Sequence, residues 1–162
     1  MTLRPIIEAD LSRLLEIINE PAVARRCGSS GYDLTKLRTE FLEDDEIVAF
    51  VIEVEGQVVG LVQYEQELEP DYRHASIDIF IDPQWHGRGL GTDAVRTLAR
   101  HLVQDLGHHR LTIDPAADNA PAIACYKKVG FKPVGIMRNY ERGRDGTWHD
   151  SLLMDLLAGD LE

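Results

Sequence analysis

A glycine-rich turn between a strand-like and a helix-like segment constrains this chain more than any other feature. The segment before it, ASIDIFI, alternates like a strand, and the segment after it, TDAVRTLARHLVQDLG, carries apolar residues at helical spacing. Between them lies Gly87-Arg88-Gly89-Leu90-Gly91. Glycines let the backbone bend tightly and bring several N–H groups to one anion, and the helix N-terminus adds its dipole. The sequence therefore predicts a turn that binds phosphate or pyrophosphate.

The spacing of these glycines separates one kind of phosphate loop from another. A dinucleotide fingerprint would need its third glycine one residue after Gly91, and the Gly-Lys-Ser/Thr of a P-loop is missing. The run His86–Gly91 resembles the acetyl-coenzyme A loop of the GNAT acetyltransferases, Gln/Arg-x-x-Gly-x-Gly/Ala, although His86 departs from the usual Gln or Arg. Because glycine-rich turns of this kind also occur for packing reasons, the loop alone leaves a structural role open. The resemblance implies acetyl-CoA as the cofactor, with candidate contacts from Phe80, Ile81, His86, Gly87, Arg88, Gly89, Leu90, Gly91 and Thr92.

A second stretch, Asn119 to Phe131, strengthens the resemblance because it matches the second GNAT signature, N-x-x-A-x-x-x-Y-x-x-x-G-F. Asn119, Ala122 and Tyr126 fall on one side of a predicted helix. The resemblance implies that this side follows the pantetheine arm and that Tyr126 is the general acid for the departing thiolate. A phenol with a pKa near 10 can donate that proton or stabilise the thiolate by hydrogen bonding. The structural alternative is an ordinary half-buried tyrosine.

Direct acetyl transfer also needs a proton acceptor for the amine and a donor for the carbonyl oxygen. Asp78 interrupts an apolar strand, where a carboxylate costs free energy unless it has a function or a structural hydrogen bond. The resemblance places Asp78 and Asp114 on neighbouring strands that splay apart, which makes both candidate catalytic bases and ammonium ligands. It also implies a backbone N–H donor near Phe80 to Asp82. His74 and His149 are weaker candidates for the base.

The run IDPAADNAPAIACYKKVGF, followed by a hairpin containing WHD, resembles one GNAT branch, the aminoglycoside 6′-N-acetyltransferases. The resemblance implies that Asp78 and Asp114 hold ammonium groups of the substrate, with Asp145 or Asp150 aligned less securely. Glu65, Glu67 and Glu69 alternate in a predicted strand and could rim a site for such a substrate. A solvated or charge-protected strand edge is the alternative for these glutamates.

The net charge of −11 argues against nucleic acid or an anionic membrane as a partner. It permits a cationic substrate, although acidity also serves solubility alone. The two cysteines have no metal-like spacing, and no signal peptide or membrane-length apolar run occurs, so we expect no metal and a cytoplasmic location. Rival functions are a protein or ribosomal N-terminal acetyltransferase, a polyamine or siderophore acetyltransferase, and a non-catalytic acyl-CoA-binding domain.

The pattern of elements predicts an α/β fold (α+β, mixed sheet) in a single GNAT-type domain over residues 1–162, as a monomer or homodimer. About seven strands and four helices are expected in the order β-α-α-β-β-β-α-β-α-β-β. Asp10, Asp33 and Asp118 are the expected N-terminal residues of three helices, and Pro21 is expected to end the first helix. A final hairpin is expected to turn at Asp145-Gly146.

Overall fold

The computed structural model describes residues 1–162 and forms one seven-stranded sheet in the order β1-β2-β3-β4-β5-β7-β6. The strands are β1 (Thr2–Pro5), β2 (Ile47–Val54), β3 (Gln57–Glu67), β4 (His74–Ile81), β5 (Arg110–Ile113), β6 (Lys132–Arg142) and β7 (Trp148–Leu157). The helices are α1 (Leu11–Ile18), α2 (Pro21–Ala24), α3 (Leu34–Arg38), α4 (Leu90–Arg100) and α5 (Ala120–Lys127). Turns of π-helix, Thr39–Glu43 and His101–Asp105, prolong α3 and α4. No helix is long and apolar enough to cross a membrane.

The sheet is mixed, and its one parallel pairing is short. Strands β1 to β4 form an antiparallel meander, and β7 lies between β5 and β6 in antiparallel pairing with both. The parallel strands β4 and β5 pair only at Ala75 with Leu111 and at Ser76 with Thr112. Beyond those pairs the two strands part, which leaves a gap in the sheet at their carboxyl ends. The predicted mixed sheet and order of strands are confirmed.

Two apolar layers cover the two faces of this sheet because strand residues alternate between them. On one face, Ile52 and Val62 pack with α4 and α5 in a cluster of 18 buried residues. On the other face, their neighbours Val51 and Leu61 pack with α1 and α3 in a cluster of 9 buried residues. The gap between β4 and β5 therefore opens between helical layers that hold its walls in place.

The helix boundaries differ from prediction at three places. Pro21 begins the short extra helix α2, since its fixed φ suits the first turn. Asp10 stands at the predicted N-cap position of α1, but its side chain makes no capping bond to that helix; its carboxylate instead accepts the Ile7 N–H at 2.9 Å.

The third difference is at α5, where Asn119 replaces Asp118 as the cap. The Asn119 amide oxygen accepts the Ala122 N–H at 3.4 Å, while Asp118 pairs with Arg26 at 2.8 Å. The predicted cap of α3 is confirmed, because Asp33 accepts the Lys36 N–H at 2.8 Å.

Gly130 joins α5 to β6 in a conformation that excludes other residues. Its φ is +118°, and a Cβ there would lie 2.1 Å from the carbonyl oxygen of Asp160. The next residue, Phe131, returns its N–H to the carbonyl of Tyr126 at 3.1 Å. Gly130 therefore allows the C-terminal segment to lie directly against the end of the helix that carries Tyr126.

We expect Gly130→Ala to lower the melting temperature by about 4–8 °C, since strain and a backbone clash together cost about 2 kcal/mol. Thermal unfolding followed by circular dichroism measures the change. Gly159→Ala is the matched control, because no atom lies within 4 Å of a Cβ at Gly159. Equal melting temperatures for the two variants would contradict the close approach at Gly130.

Candidate active site

The gap between β4 and β5 exposes backbone groups that a continuous sheet would pair. The Asp82 N–H donates to the Val59 carbonyl at 2.8 Å, and antiparallel hydrogen bonding alternates, so Phe80 also faces β3. The N–H groups of Ile79 and Ile81 then face the gap. Of the predicted donor segment Phe80 to Asp82, the Ile81 N–H is therefore the one directed toward the gap.

The glycine loop lies against the carboxyl end of β4, which borders this gap. Gly87 and Gly89 have left-handed φ values of +75° and +80°, and Gly89 is the N-cap of α4. The first intrahelical bond runs from the Asp93 N–H to the Gly89 carbonyl at 3.0 Å, so the N–H groups of Leu90, Gly91 and Thr92 have no intrahelical acceptor. Three N–H groups at one helix end form a site for a phosphate or pyrophosphate.

Neighbouring side chains hold the loop in place. The His86 Nε2–H donates to the Ile81 carbonyl at 2.9 Å, which gives His86 a structural role at the position where Gln or Arg is usual. The Thr92 hydroxyl donates to the Cys125 sulfur at 3.1 Å and ties α4 to α5. Arg88 lies over the Trp85 ring at 4.6 Å and keeps a cation beside the anion-binding loop.

Gly91 is in ordinary van der Waals contact with β4 and α5. A Cβ on this residue would lie 3.5 Å from the Cys125 sulfur and 3.7 Å from Ile81 Cδ1. The first turn of α4 therefore lies against both β4 and α5, next to the gap. The loop and the gap together fit an extended molecule that carries a pyrophosphate at one end.

Tyr126 lies at the inner end of the gap, on α5. It is 8 % exposed and packs edge-on against Phe131, with ring centroids 6.4 Å apart. Burial raises the pKa of the Tyr126 hydroxyl well above its usual value, and the charges of Asp78 and Asp114 raise it further. The hydroxyl therefore keeps its proton at neutral pH and can only donate or share it. Ala122, one turn earlier, is half-buried against the core, and Asn119 caps the same helix.

Asp78 and Asp114 face the gap from its two sides. The Asp78 side chain reaches solvent, but the protein around it removes much of its hydration and raises its pKa to about 6. The charge of Asp114 adds to the rise, while the Ile79 N–H, bonded to Asp78 Oδ1 at 2.8 Å, opposes it. Burial also raises the pKa of Asp114, and the hydroxyl of Tyr140 opposes that rise. A carboxylate whose pKa is raised toward neutrality is a better proton acceptor than an ordinary one. The structure thus brings together the three predicted catalytic residues.

Sequence reasoning did not identify several further acidic and phenolic groups near this gap. Glu141 on β6 and Glu40 on the π-helical turn after α3 both raise the pKa of Asp78 by their charge. The Tyr32 hydroxyl donates to the Glu40 carboxylate at 3.0 Å and holds it in place. The hairpin bulge that brings Glu141 inward and the helical turn that carries Glu40 have no local sequence signal, because both depend on tertiary packing.

Glu65 lies near the end of β3, paired in register with Ser76 of β4. Partial burial raises its pKa, and the charges of Asp44, Glu46 and Glu40 act in the same direction. The strand ends at Glu67, and Glu69 lies in the following turn, where its N–H bonds to Glu67 Oε1 at 2.8 Å. The predicted alternation of Glu65, Glu67 and Glu69 on one strand face therefore ends at Glu67, because β3 ends there and a turn begins.

The two remaining predicted acids lie in the last hairpin. Asp145 bonds the His149 ring at 3.0 Å and the Thr147 N–H at 3.0 Å, and these bonds lower its pKa to about 2. Asp150 accepts the Asn139 N–H at 2.9 Å. The cleft they line, of about 230 Å³, also contains arginine side chains, so its charge is mixed. These are Arg25, Arg26 and Arg144.

Comparison with known proteins decides which family this arrangement represents. The sequence profile described as the Acetyltransferase (GNAT) family matches residues 11–131, which run from the start of α1 to the end of the second signature. The chain belongs to the GNAT family. It is an N-acetyltransferase, and acetyl-CoA is its cofactor, as in the rest of that family.

Two characterised GNAT acetyltransferases resemble this chain to a similar degree. The spermidine N(1)-acetyltransferase of Escherichia coli is 29% identical over 137 residues, which cover 82% of this chain and 73% of that protein. The aminoglycoside N(6′)-acetyltransferase type 1 of Klebsiella pneumoniae is 28% identical over 153 residues, which cover 83% of this chain and 75% of that protein. Among solved structures, Mycobacterium smegmatis RimJ in complex with CoA-disulfide has a TM-score of 0.85 and 25% identity, covering 98% of this chain and 82% of that one.

We expect Tyr126→Phe to lower kcat by about a hundredfold while the KM for acetyl-CoA changes little, because the hydroxyl is removed and the ring is kept. Thiol release from acetyl-CoA, measured at saturating amine, gives both constants. Tyr64→Phe is the matched control, since Tyr64 is also a buried tyrosine but lies in the core on β3. Weaker coenzyme binding with unchanged kcat would remove the proposed role of Tyr126.

Proposed function

We propose that this GNAT acetyltransferase transfers acetyl directly to a primary amine of a polycationic small molecule, and that the 6′-amine of an aminoglycoside is its acceptor. The observation that carries the proposal is the convergence of carboxylates on the gap between β4 and β5. The charges of Asp114, Glu141 and Glu40 all raise the pKa of Asp78 there. Like charges brought together at a cost in free energy favour a ligand that carries several positive charges.

The coenzyme has a clear place along the gap in this proposal. Acetyl-CoA, when bound, supplies the thioester whose acetyl group is transferred. The free N–H groups of Leu90, Gly91 and Thr92 hold its pyrophosphate, with Gly87 and Gly89 allowing the close approach and Arg88 adding a positive charge. The backbone of Phe80 and Ile81 and the α5 residues Asn119 and Ala122 border its path toward Tyr126.

Proton movement is divided among three side chains. An ammonium bound between Asp78 and Asp114 must lose a proton before its nitrogen can attack, and Asp78, with a pKa of about 6, accepts that proton directly or through water. The Ile81 N–H donates to the developing oxyanion, and Tyr126 holds a proton for the leaving sulfur. The lone pair of the amine nitrogen therefore forms beside the two carboxylates, and the proton donor, Tyr126, lies on the opposite face of the gap.

A linear polyamine is the second candidate acceptor, and one structural observation favours it. The carboxylates do not end at the gap, because Glu40 also acts on Glu65, which in turn is affected by Asp44 and Glu46. A row of acids leading away from Asp78 suits ammonium groups spaced along a flexible chain. The similarity to both an aminoglycoside and a spermidine acetyltransferase is consistent with either acceptor.

The direct test is thiol release from acetyl-CoA with kanamycin, spermidine and an N-terminal peptide offered in parallel. We expect saturable turnover with kanamycin at the highest kcat/KM, and mass spectrometry of the product then locates the acetylated amine. Turnover with spermidine or peptide alone would keep the enzyme class and overturn the aminoglycoside as acceptor. Absence of turnover with all three would contradict the polycation proposal and favour a role in acyl-CoA binding without transfer.

Asp114→Asn should raise the KM for the polycation about tenfold or more and change the KM for acetyl-CoA little, because a charged hydrogen bond to the ammonium is lost. Both constants come from the same thiol assay. Asp105→Asn is the control, since that acid pairs with His101 at the far end of α4. Equal changes in the two KM values would place Asp114 outside the acceptor site.

A further inference from the structure

We propose that Asp150 is a positioning residue: its carboxylate holds an irregular section of β6 at Asn139 and thereby places Tyr140 beside Asp114. The sequence resemblance implied instead that Asp150 touches the substrate. The inference rests on the proposed function in one respect, because it treats Asp114 as part of the acceptor site.

The irregularity is a large bulge in β6. Met137 pairs with Ser151 and Glu141 pairs with His149, so three residues of β6 stand opposite the single β7 residue Asp150. In the bulge Asn139 has a left-handed φ of +48°, and its N–H donates to Asp150 Oδ1 at 2.9 Å. Asn is among the few residues other than glycine that adopt this conformation readily. The Asp150 carboxylate thus accepts a hydrogen bond from a backbone N–H that the strand ladder leaves unpaired.

Asp150 is fixed on its other side to the loop that follows Asp114. Its backbone carbonyl accepts the Ala117 N–H at 2.9 Å, and the Leu152 N–H donates to the Pro115 carbonyl at 2.9 Å. One short section of β7 therefore holds both the β6 bulge and the loop immediately after Asp114. Any change in the bulge alters the position of its residues relative to Asp114.

Tyr140 is the last residue of the bulge, and Glu141 resumes the pairing with β7. The Tyr140 hydroxyl lowers the pKa of Asp114, against burial, and the charge of Asp114 raises the pKa of Tyr140. The other ionisable groups that influence Asp114 or respond to it are Asp78 on β4, Tyr126 on α5 and Glu141 on β6. Among these groups Tyr140 is the one whose hydroxyl stabilises the charged form of Asp114. Moving Tyr140 away should therefore raise the pKa of Asp114.

A neutral side chain distinguishes positioning from direct contact with a cation. In Asp150→Asn the amide oxygen can still accept the Asn139 N–H, but the charge that would bind an ammonium is gone. In Asp150→Ala both the acceptor of the Asn139 N–H and the negative charge are lost. Positioning therefore predicts that the asparagine variant behaves like the native protein and the alanine variant does not. Direct contact predicts that both variants bind the acceptor poorly.

The experiment is a carbon-13 NMR titration of the Asp114 carboxyl in the full chain, combined with pH profiles of kcat/KM for kanamycin and spermidine. We expect Asp150→Ala and Tyr140→Phe each to move the Asp114 midpoint to higher pH by about 0.5 to 1. Because Asp114 then protonates earlier as the pH falls, the acid limb of the profile moves the same way, with a loss of about three- to tenfold at a given pH on that limb. The combined variant should shift no further than either single variant, and Asp150→Asn should restore the native profile.

A second variant separates positioning from general damage to the hairpin. Asn139→Gly, placed in the Asp150→Ala background, supplies a residue that adopts positive φ without help, so it should return the Asp114 midpoint part of the way to its native value. An unchanged Asp114 midpoint in Asp150→Ala overturns the inference. An equal loss of affinity for the polycation in Asp150→Asn and in Asp150→Ala also overturns the inference. If neither polycation is acetylated, the proposed acceptor is wrong, whereas the NMR titration still decides the role of Asp150.

Discussion

The parting of β4 and β5 after two paired positions is the constraint on which the rest of this structure depends. It leaves backbone groups of Ile79 and Ile81 unpaired by the sheet, and it lets the first turn of α4 present its free N–H groups above the same opening. Because the helical layers on both faces are packed with buried apolar residues, the opening is held by the core and not by the loops. A coenzyme and an amine can therefore approach each other within the sheet itself.

The same opening brings acidic groups close enough to repel one another. Desolvation raises the pKa values of Asp78, Asp114 and Glu141, and neighbouring carboxylates raise those of Asp78 and Glu141 further. Each group is partly compensated by a neighbouring donor. Such an arrangement costs free energy in the empty protein and is favourable when positive charge binds. Tyr126, the proposed proton donor, faces the same charges, which help to keep it protonated. In the proposed function, recognition of the amine and its activation thus have one electrostatic origin.

Much of this could be predicted from the sequence, because the decisive signals are local. Glycines at fixed spacing, an alternating strand before them and Tyr126 at helical spacing from Asn119 identify the family and the order of strands, and they suggest the proposed coenzyme loop. The remaining features depend on contacts between distant segments. Asp10 and Asp118 have the chemistry of helix caps but are drawn to Arg4 and Arg26. Glu40 and Glu141 reach the gap through a π-helical turn and a strand bulge, and neither has a sequence pattern of its own.

The central claim is that an amine of a polycation binds between Asp78 and Asp114 with its reacting nitrogen facing Tyr126. A crystal structure of the protein with coenzyme A and kanamycin, or with spermidine if that is the acceptor, tests it most directly. We predict a primary amine nitrogen within hydrogen-bonding distance of both carboxylates and the coenzyme sulfur beside the Tyr126 hydroxyl. A polycation bound instead in the cleft beside His149, with no amine in the gap, would contradict this account.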